Sequence, residues 1–166
     1  MRRRRFLETA ATAASAAAVG CGRKGNYRFF TDAEARTLEA MLDHIVPSDD
    51  APGARESGVI HYIDRQLTGH FRDQQKLYRD GIAALGGFAG LDGGAQLEAL
   101  QKLEKDKERK PFFDAVVTHA MQGFYGSPRH GGNRDFASWR MLGIPPVPLR
   151  GRNSYDLTRG DSNAKG

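Results

Sequence analysis

The chain has 166 residues and a formal net charge of +5, with five histidines and a single cysteine. Four arginines and one glutamate among the first eight residues account for three of these charges, so the remainder is close to neutral. That balance gives no reason to expect a nucleic acid as partner. A single cysteine excludes a disulfide within the chain, and the roughly 145 residues beyond residue 20 suffice for one domain with one core.

The N-terminus has the layout of a secretory signal. Residues 2–5 are all arginine, and residues 9–20 form an alanine-rich run that is about half as long as the ~20 apolar residues of a membrane span. Four residues match the twin-arginine export motif: Arg3, Arg4, Phe6 and Leu7. Residues 1–20 are therefore predicted to be a twin-arginine signal peptide, with a basic nucleic-acid-binding arm as the alternative.

The only cysteine, Cys21, follows the small residues that end this leader. The pattern is similar to a lipobox, in which the cysteine is acylated and becomes the new N-terminus, although Ala18 stands where leucine is usual. The alternative is cleavage after Ala18, which leaves Cys21 as a free thiol. Both place the mature chain in the periplasm, and lipidation adds an anchor at the membrane surface. Residues 21–28 are predicted to be a linker.

Helices are predicted over the rest of the chain, because strand-forming residues are few and apolar residues recur at helical spacing. Thr31 and Glu34 form a capping-box pattern before the first helix, which Pro47 ends. Further helices are expected at residues 54–67, 73–85 and 135–142. Two more are expected after Asp92 and after Pro111, and the helix after Asp92 is expected to turn Leu97, Leu100 and Leu103 inward.

The helix after Pro111 is the most apolar, so it is placed at the centre of the bundle. The predicted fold class is all-α, a small single-domain bundle of about five to six helices over residues 29–143. A flexible leader precedes the bundle. Residues 144–166 are predicted to be a flexible tail, because they cannot bury enough apolar area to fold alone.

The sequence lacks the motifs of common catalytic and nucleotide-binding sites, so no catalytic, cofactor or metal residue is assigned on this chain. His61 and Asp64 lie three residues apart on one predicted helix, and His119 could complete a metal site with them. Hydrogen-bonded or solvated histidines are the ordinary explanation. Asp49 and Asp50 could act as general acid and base, although such neighbours in a loop more often cap turns.

A glycine-rich stretch at residues 123–135 contains four glycines, and Trp139 lies just beyond it. Glycines at this density suit tight turns or the close approach of another chain, and aromatic and arginine side chains are typical of interface hot spots. The alternative is a structural loop in which Asn133 and Asp135 cap the last helix. A partner interface is predicted at eight residues: Tyr125, Arg129, His130, Gly131, Gly132, Asn133, Asp135 and Trp139.

Seven stretches, taken in their order and spacing, resemble the gluconate 2-dehydrogenase subunit 3 family. They are FFT at 29–31, IVPSDD at 45–50, PGARESGV at 52–59, YIDRQL at 62–67, GFYG at 123–126, GGNRD at 131–135 and WRMLG at 139–143. The resemblance covers about residues 29–143 and extends to the leader, because family members typically carry twin-arginine signals. It departs at Pro145 and Pro146, where the family tends to a Pro-Gly pair.

The resemblance implies an accessory role beside a large flavoprotein of the glucose–methanol–choline type and, commonly, a multi-haem cytochrome c. FAD on the large subunit and haem c on the cytochrome are implied, with no cofactor on this chain. The flavoprotein often lacks a leader and crosses the membrane through the twin-arginine translocase bound to the small subunit.

The expected function is therefore a non-catalytic small subunit of a periplasmic or membrane-associated flavin-dependent sugar or polyol dehydrogenase, which it escorts and stabilises. One alternative is an independent periplasmic helical lipoprotein that binds a metal or small ligand through His61, Asp64 and His119. Another is an enzyme that uses Asp49, Asp50 or His130.

Overall fold

Six α-helices and four short 3₁₀ turns make up the computed structural model over residues 26–145, the part of the chain that the structure describes. The helices are Asp32–Ile45 (α1), Val59–Leu67 (α2), Gln75–Ala84 (α3), Gly93–Lys105 (α4), Lys110–Tyr125 (α5) and Ala137–Met141 (α6). These residues include no strand, so the predicted all-α class is confirmed. The export motif, Cys21 and residues 146–166 lie outside the described residues.

The first helix begins with the predicted capping box. The Thr31 hydroxyl accepts a hydrogen bond from the Glu34 backbone N–H at 3.3 Å, and the Glu34 carboxylate accepts one from the Thr31 backbone N–H at 2.8 Å. These two hydrogen bonds satisfy backbone N–H groups that have no partner within the helix. The helix buries one face against the core through four residues: Ala35, Leu38, Met41 and Leu42.

Helix α5 is the central element, as its apolar sequence predicts. It contacts α1, α2, α3, α4 and α6. Two glycines allow its close packing: a side chain at Gly81 of α3 would overlap the Phe112 ring, and one at Gly123 of α5 would lie 3.0 Å from the Tyr62 ring. The α5 register is therefore fixed by contacts that leave no room for a methyl group.

Two predictions about the helices are wrong in detail. Helix α2 begins at Val59 rather than at residue 54, because the chain turns through residues 54–58 and Gly58 adopts a left-handed φ of 68°. Leu97 is 49% exposed although it was expected to be buried with Leu100 and Leu103. Each step of three residues falls about 60° short of a full turn, so Leu97 lies about 120° from Leu103 around α4.

A buried carboxylate holds the segment that leads into α1. Asp64 of α2 accepts hydrogen bonds from the backbone N–H groups of Arg28 and Phe29, both at 2.8 Å, and of Phe30 at 3.2 Å. Hydrogen bonds to an ionised acceptor are stronger than neutral ones. Arg28, predicted as the last residue of a linker, is thus attached to the folded domain.

Aromatic and cationic contacts reinforce this attachment. Arg79 of α3 lies 4.1 Å from the Phe29 ring centre and donates a hydrogen bond to the Phe29 carbonyl at 2.7 Å. Tyr27 stacks on His61 and donates its hydroxyl to Glu39 at 3.0 Å. Burial and the neighbouring Glu39 raise the pKa of Tyr27 to about 12, so it remains a hydrogen-bond donor.

No helix among residues 26–145 combines the length and the apolar character that a membrane crossing requires.

Candidate partner interface

The glycine-rich stretch begins in the last turn of α5 and continues into the connection between α5 and α6. That connection contains two 3₁₀ turns, Pro128–His130 and Arg134–Phe136. Asn133 ties the two ends together: its side-chain amide donates to the Gly126 carbonyl at 2.9 Å and accepts from the Ser138 backbone N–H at 3.0 Å. The capping alternative is therefore correct for Asn133, which satisfies an amide in the first turn of α6.

The backbone of this connection is strained at three residues. Asn133, Asp135 and Phe136 have φ values of 45°, 54° and 57°, in the left-handed region that non-glycine residues rarely adopt. Each such residue costs about 1–3 kcal/mol and persists only where its surroundings enforce it. Asp135 makes no capping hydrogen bond to α6, so the capping alternative is wrong for this residue.

The glycines of the loop serve close contacts within the chain itself. A side chain at Gly132 would overlap the Gly123 carbonyl of α5, and one at Gly131, where φ is 105°, would lie 3.3 Å from the His61 carbonyl. Gly132 and Asn133 are buried. Because both residues are buried, neither is exposed for contact with a partner in this structure. Both instead determine the conformation of the loop.

The remaining predicted interface residues reach the surface. Tyr125, Arg129, His130 and Asp135 are exposed, Gly131 is half-buried, and the half-buried Trp139 donates its indole N–H to the Tyr125 carbonyl at 2.8 Å. Three further apolar side chains beyond Trp139 are exposed by between 43% and 53%. We call the apolar members of this surface the docking face: Tyr125, Trp139, Met141, Leu142 and Ile144.

Two surface cavities flank the docking face. A cleft of about 440 Å³ lies between the loop after α1 and helix α6, and its lining includes Asp50, Arg134 and Met141. A groove of about 750 Å³ lies between α2 and α5, and its lining includes Tyr125 and His130. The docking face contributes one residue to each cavity, Met141 to the cleft and Tyr125 to the groove.

The proposed metal ligands have other partners. His119 shares a hydrogen bond of 2.7 Å between its Nδ1 and the Tyr78 hydroxyl, and its ring stacks 4.2 Å from that of Phe71. Burial lowers the pKa of His119 and so favours its neutral form. The Asp64 carboxylate accepts hydrogen bonds from three backbone N–H groups.

His61 lies against Tyr27, and burial together with the nearby Arg134 lowers its pKa. Among residues 26–145 no three histidine, cysteine, aspartate or glutamate side chains converge as a metal site would require. The geometry therefore gives no support to metal binding through His61, Asp64 and His119.

The candidate catalytic residues are not brought together. Asp49 accepts a hydrogen bond from the Ala51 backbone N–H at 2.9 Å, which is the turn-capping role given as its alternative. Asp50 lines the cleft beside α6, whereas His130 lines the groove between α2 and α5. The geometry therefore does not bring Asp49, Asp50 and His130 together in one site.

A family model described as gluconate 2-dehydrogenase subunit 3 matches residues 32–146, which is more than half of the chain. The match extends from the start of α1 to the end of the docking face. Comparisons with curated proteins and with solved structures give no match. On this extent of agreement, the chain belongs to the gluconate 2-dehydrogenase subunit 3 family.

Proposed function

We propose that this chain is the non-catalytic small subunit of a flavin-dependent sugar or polyol dehydrogenase, which it escorts through twin-arginine export and then stabilises in the periplasm. Family membership supports association with an oxidoreductase complex. The proposed partners are a glucose–methanol–choline-type flavoprotein that carries FAD and a multi-haem cytochrome c that carries haem c. The chain itself supplies the export signal and a contact surface.

The docking face is the observation that carries this proposal. Four large apolar residues of this face are each exposed by 43% to 53%: Tyr125, Met141, Leu142 and Ile144. Trp139 is hydrogen-bonded to the Tyr125 carbonyl and to the Ile144 backbone N–H, so these residues lie close together. Exposed apolar side chains that cluster mark interaction sites, and aromatic residues are typical of their energetic centres. Asn133 and Trp139 fix the short helix α6 to the end of α5, so the face is ordered before a partner arrives.

The export step is supported by the order of segments along the chain. The proposed signal residues Arg3, Arg4, Phe6 and Leu7 precede a segment whose backbone is bound to Asp64 from Arg28 onward. A twin-arginine signal is an address that its receptor reads. A flavoprotein bound to this domain would therefore be carried by the same address. Lipidation at Cys21 would then keep the complex at the membrane surface.

The contact surface is tested by purifying the tagged full-length chain from cells that produce its complex. We expect a flavoprotein in stoichiometric amount, and we expect Leu142→Asp to reduce its recovery by about tenfold, because a charge would be buried at the contact. Leu97→Asp is the matched control, since Leu97 is equally apolar and similarly exposed on α4. Equal recovery with both variants would exclude the docking face, and absence of any flavoprotein with the native chain would exclude the subunit role.

A further inference from the structure

The groove between α2 and α5 has two helical walls. Tyr62 and Gln66 lie four residues apart on α2 and so share one face of that helix, and Met121 and Tyr125 do the same on α5. Its lining also includes His70 and Phe71, which follow α2, and His130, which follows α5. At about 750 Å³ the groove is large enough for several side chains of an extended peptide.

Contacts with other residues of the domain hold the side chains that line the groove. Phe71 stacks on the buried His119 with ring centres 4.2 Å apart, and His119 is itself hydrogen-bonded to Tyr78. The Tyr62 hydroxyl donates to the Gln122 side chain at 3.0 Å, which links the two walls. A groove whose side chains are already ordered loses little entropy when a ligand enters it.

The polar groups of the groove favour a ligand with negative charge. No aspartate or glutamate is among the residues that line it. Next to the groove, Arg65 donates a hydrogen bond at 2.8 Å to the carbonyl of Arg129, which is the residue before His130, and Arg129 is itself exposed. Ser127 also lines the groove, and its buried hydroxyl has no hydrogen-bond partner within residues 26–145.

The charge of the groove argues against the chain's own ends as its occupant. Residues 146–166 carry four basic and two acidic side chains, and residues 2–5 are all arginine. Both segments would bring positive charge to a groove that has no carboxylate in its lining and two arginines, Arg65 and Arg129, next to His130. Tyr125, in contrast, belongs to the groove and to the docking face alike, so a partner seated on the docking face would lie next to the groove.

We propose that the groove receives an extended segment of the flavoprotein subunit that presents an aromatic or aliphatic side chain beside a carboxylate. The apolar side chain would lie on Phe71 and Met121, and the carboxylate would face Ser127, His130 and the arginines. This inference rests on the proposed function, since it takes the flavoprotein as the partner. It adds a second contact, distinct in charge from the docking face.

Site-specific photocrosslinking in cells tests the proposal with the full-length chain. A p-benzoylphenylalanine residue is placed at Met121 in the groove or, as control, at Leu97 on α4, and the tagged chain is purified after irradiation. We expect an adduct with the flavoprotein from Met121 alone. Mass spectrometry of that adduct is expected to locate an aspartate or glutamate within a few residues of the crosslinked position.

A charge reversal provides an independent readout that does not depend on the probe. Arg129→Glu is expected to reduce the Met121 adduct by at least about fivefold, because a carboxylate would face a carboxylate. Arg36→Glu on α1 is the matched control, since it makes the same change at another exposed arginine and is expected to leave the yield unchanged. Thermal unfolding of both variants checks that each is folded.

The outcomes separate this inference from the proposed function. A flavoprotein that co-purifies but gives no Met121 adduct would overturn the groove contact alone. An adduct with a second copy of this chain, or with a flavoprotein segment that lacks a carboxylate, would also overturn it. If no flavoprotein accompanied the chain, the proposed function and the groove contact would both fail.

Discussion

At the residue scale, the loop between α5 and α6 depends on the absence of a side chain at Gly132. Gly132→Ala would place a methyl group against the Gly123 carbonyl, and Gly123 is itself packed on the Tyr62 ring. Because backbone rather than a flexible side chain is in the way, we expect the free energy of unfolding to fall by about 3 kcal/mol. Urea denaturation of the mature chain measures this loss.

Gly93→Ala is the control for this substitution, because a methyl group there meets no atom within 4 Å. It lies at the start of α4 and is expected to leave stability unchanged or slightly raised. A similarly small effect of Gly132→Ala would show that the loop can yield, and would contradict the packing described above.

The buried His119 predicts how stability depends on pH. Burial lowers its pKa in the folded chain, whereas in the unfolded chain it titrates near its ordinary value of about 6.5. The unfolded state therefore binds the proton first as pH falls below about 6.5, and stability declines from there toward the folded pKa. His61, whose pKa is also lowered, acts in the same direction.

His119→Gln separates the two histidines. Glutamine retains an acceptor for the Tyr78 hydroxyl but cannot be protonated. We expect the difference in the free energy of unfolding between about pH 7.5 and about pH 5.5 to be smaller in this variant than in the native chain. An unchanged difference would assign the pH dependence to other groups.

At the scale of elements, Asp64 joins the segment before α1 to α2. Asp64→Asn keeps the size of the side chain but turns one oxygen into a donor that faces a backbone N–H. We expect a loss of about 3 kcal/mol and faster trypsin cleavage after Arg28, because hydrogen bonds to the charged carboxylate are lost. Asp80→Asn, which removes only an exposed ion pair with Lys76, is expected to cost less than about 1 kcal/mol.

The rate of cleavage after Arg28 shows whether the Asp64 carboxylate or the Tyr27 and Arg79 contacts hold the segment before α1. Equal rates for the Asp64→Asn and Asp80→Asn chains would mean that the Tyr27 and Arg79 contacts suffice to hold the segment. A selective increase for Asp64→Asn would identify the carboxylate as the main attachment of the chain that follows the leader.

Elements whose signals are local were predicted correctly. The capping box of α1 requires only Thr31 and Glu34. The apolar run after Pro111 predicts α5 regardless of the elements that this helix packs against. The start of α2 was missed because residues 54–58 form a turn that ends at the left-handed Gly58, and this turn is bonded to a distant segment through the Arg134 backbone N–H and the Ser57 carbonyl at 3.0 Å. A side chain at Gly58 would lie 2.5 Å from Arg134, which follows it by more than seventy positions in the sequence.

The sequence singled out only part of the proposed docking face, for a similar reason. The sequence singled out Tyr125 and Trp139, but the exposure of Met141 and Leu142 depends on how a five-residue helix is oriented. Periodicity over so short a helix does not reveal its buried side. The orientation is fixed instead by Asn133, whose contacts span the whole loop.

At the scale of the whole molecule, the two proposed roles use different parts of the fold. The chain that follows the leader is attached to α2 and α3 through Asp64 and Arg79. The docking face is built from the end of α5 and from α6, with Tyr125 and Trp139 in direct contact. A partner on the docking face therefore does not compete with the leader segment for the same residues.

The escort role is tested most directly by replacing Arg3 and Arg4 with lysine and following the flavoprotein subunit. Lysine keeps the positive charge, so the change removes the twin-arginine motif and little else. We predict that the flavoprotein remains in the cytoplasm, still bound to this chain, while Arg2→Lys leaves its export intact. Normal amounts of flavoprotein in the periplasm of the double-lysine strain would contradict the proposed function.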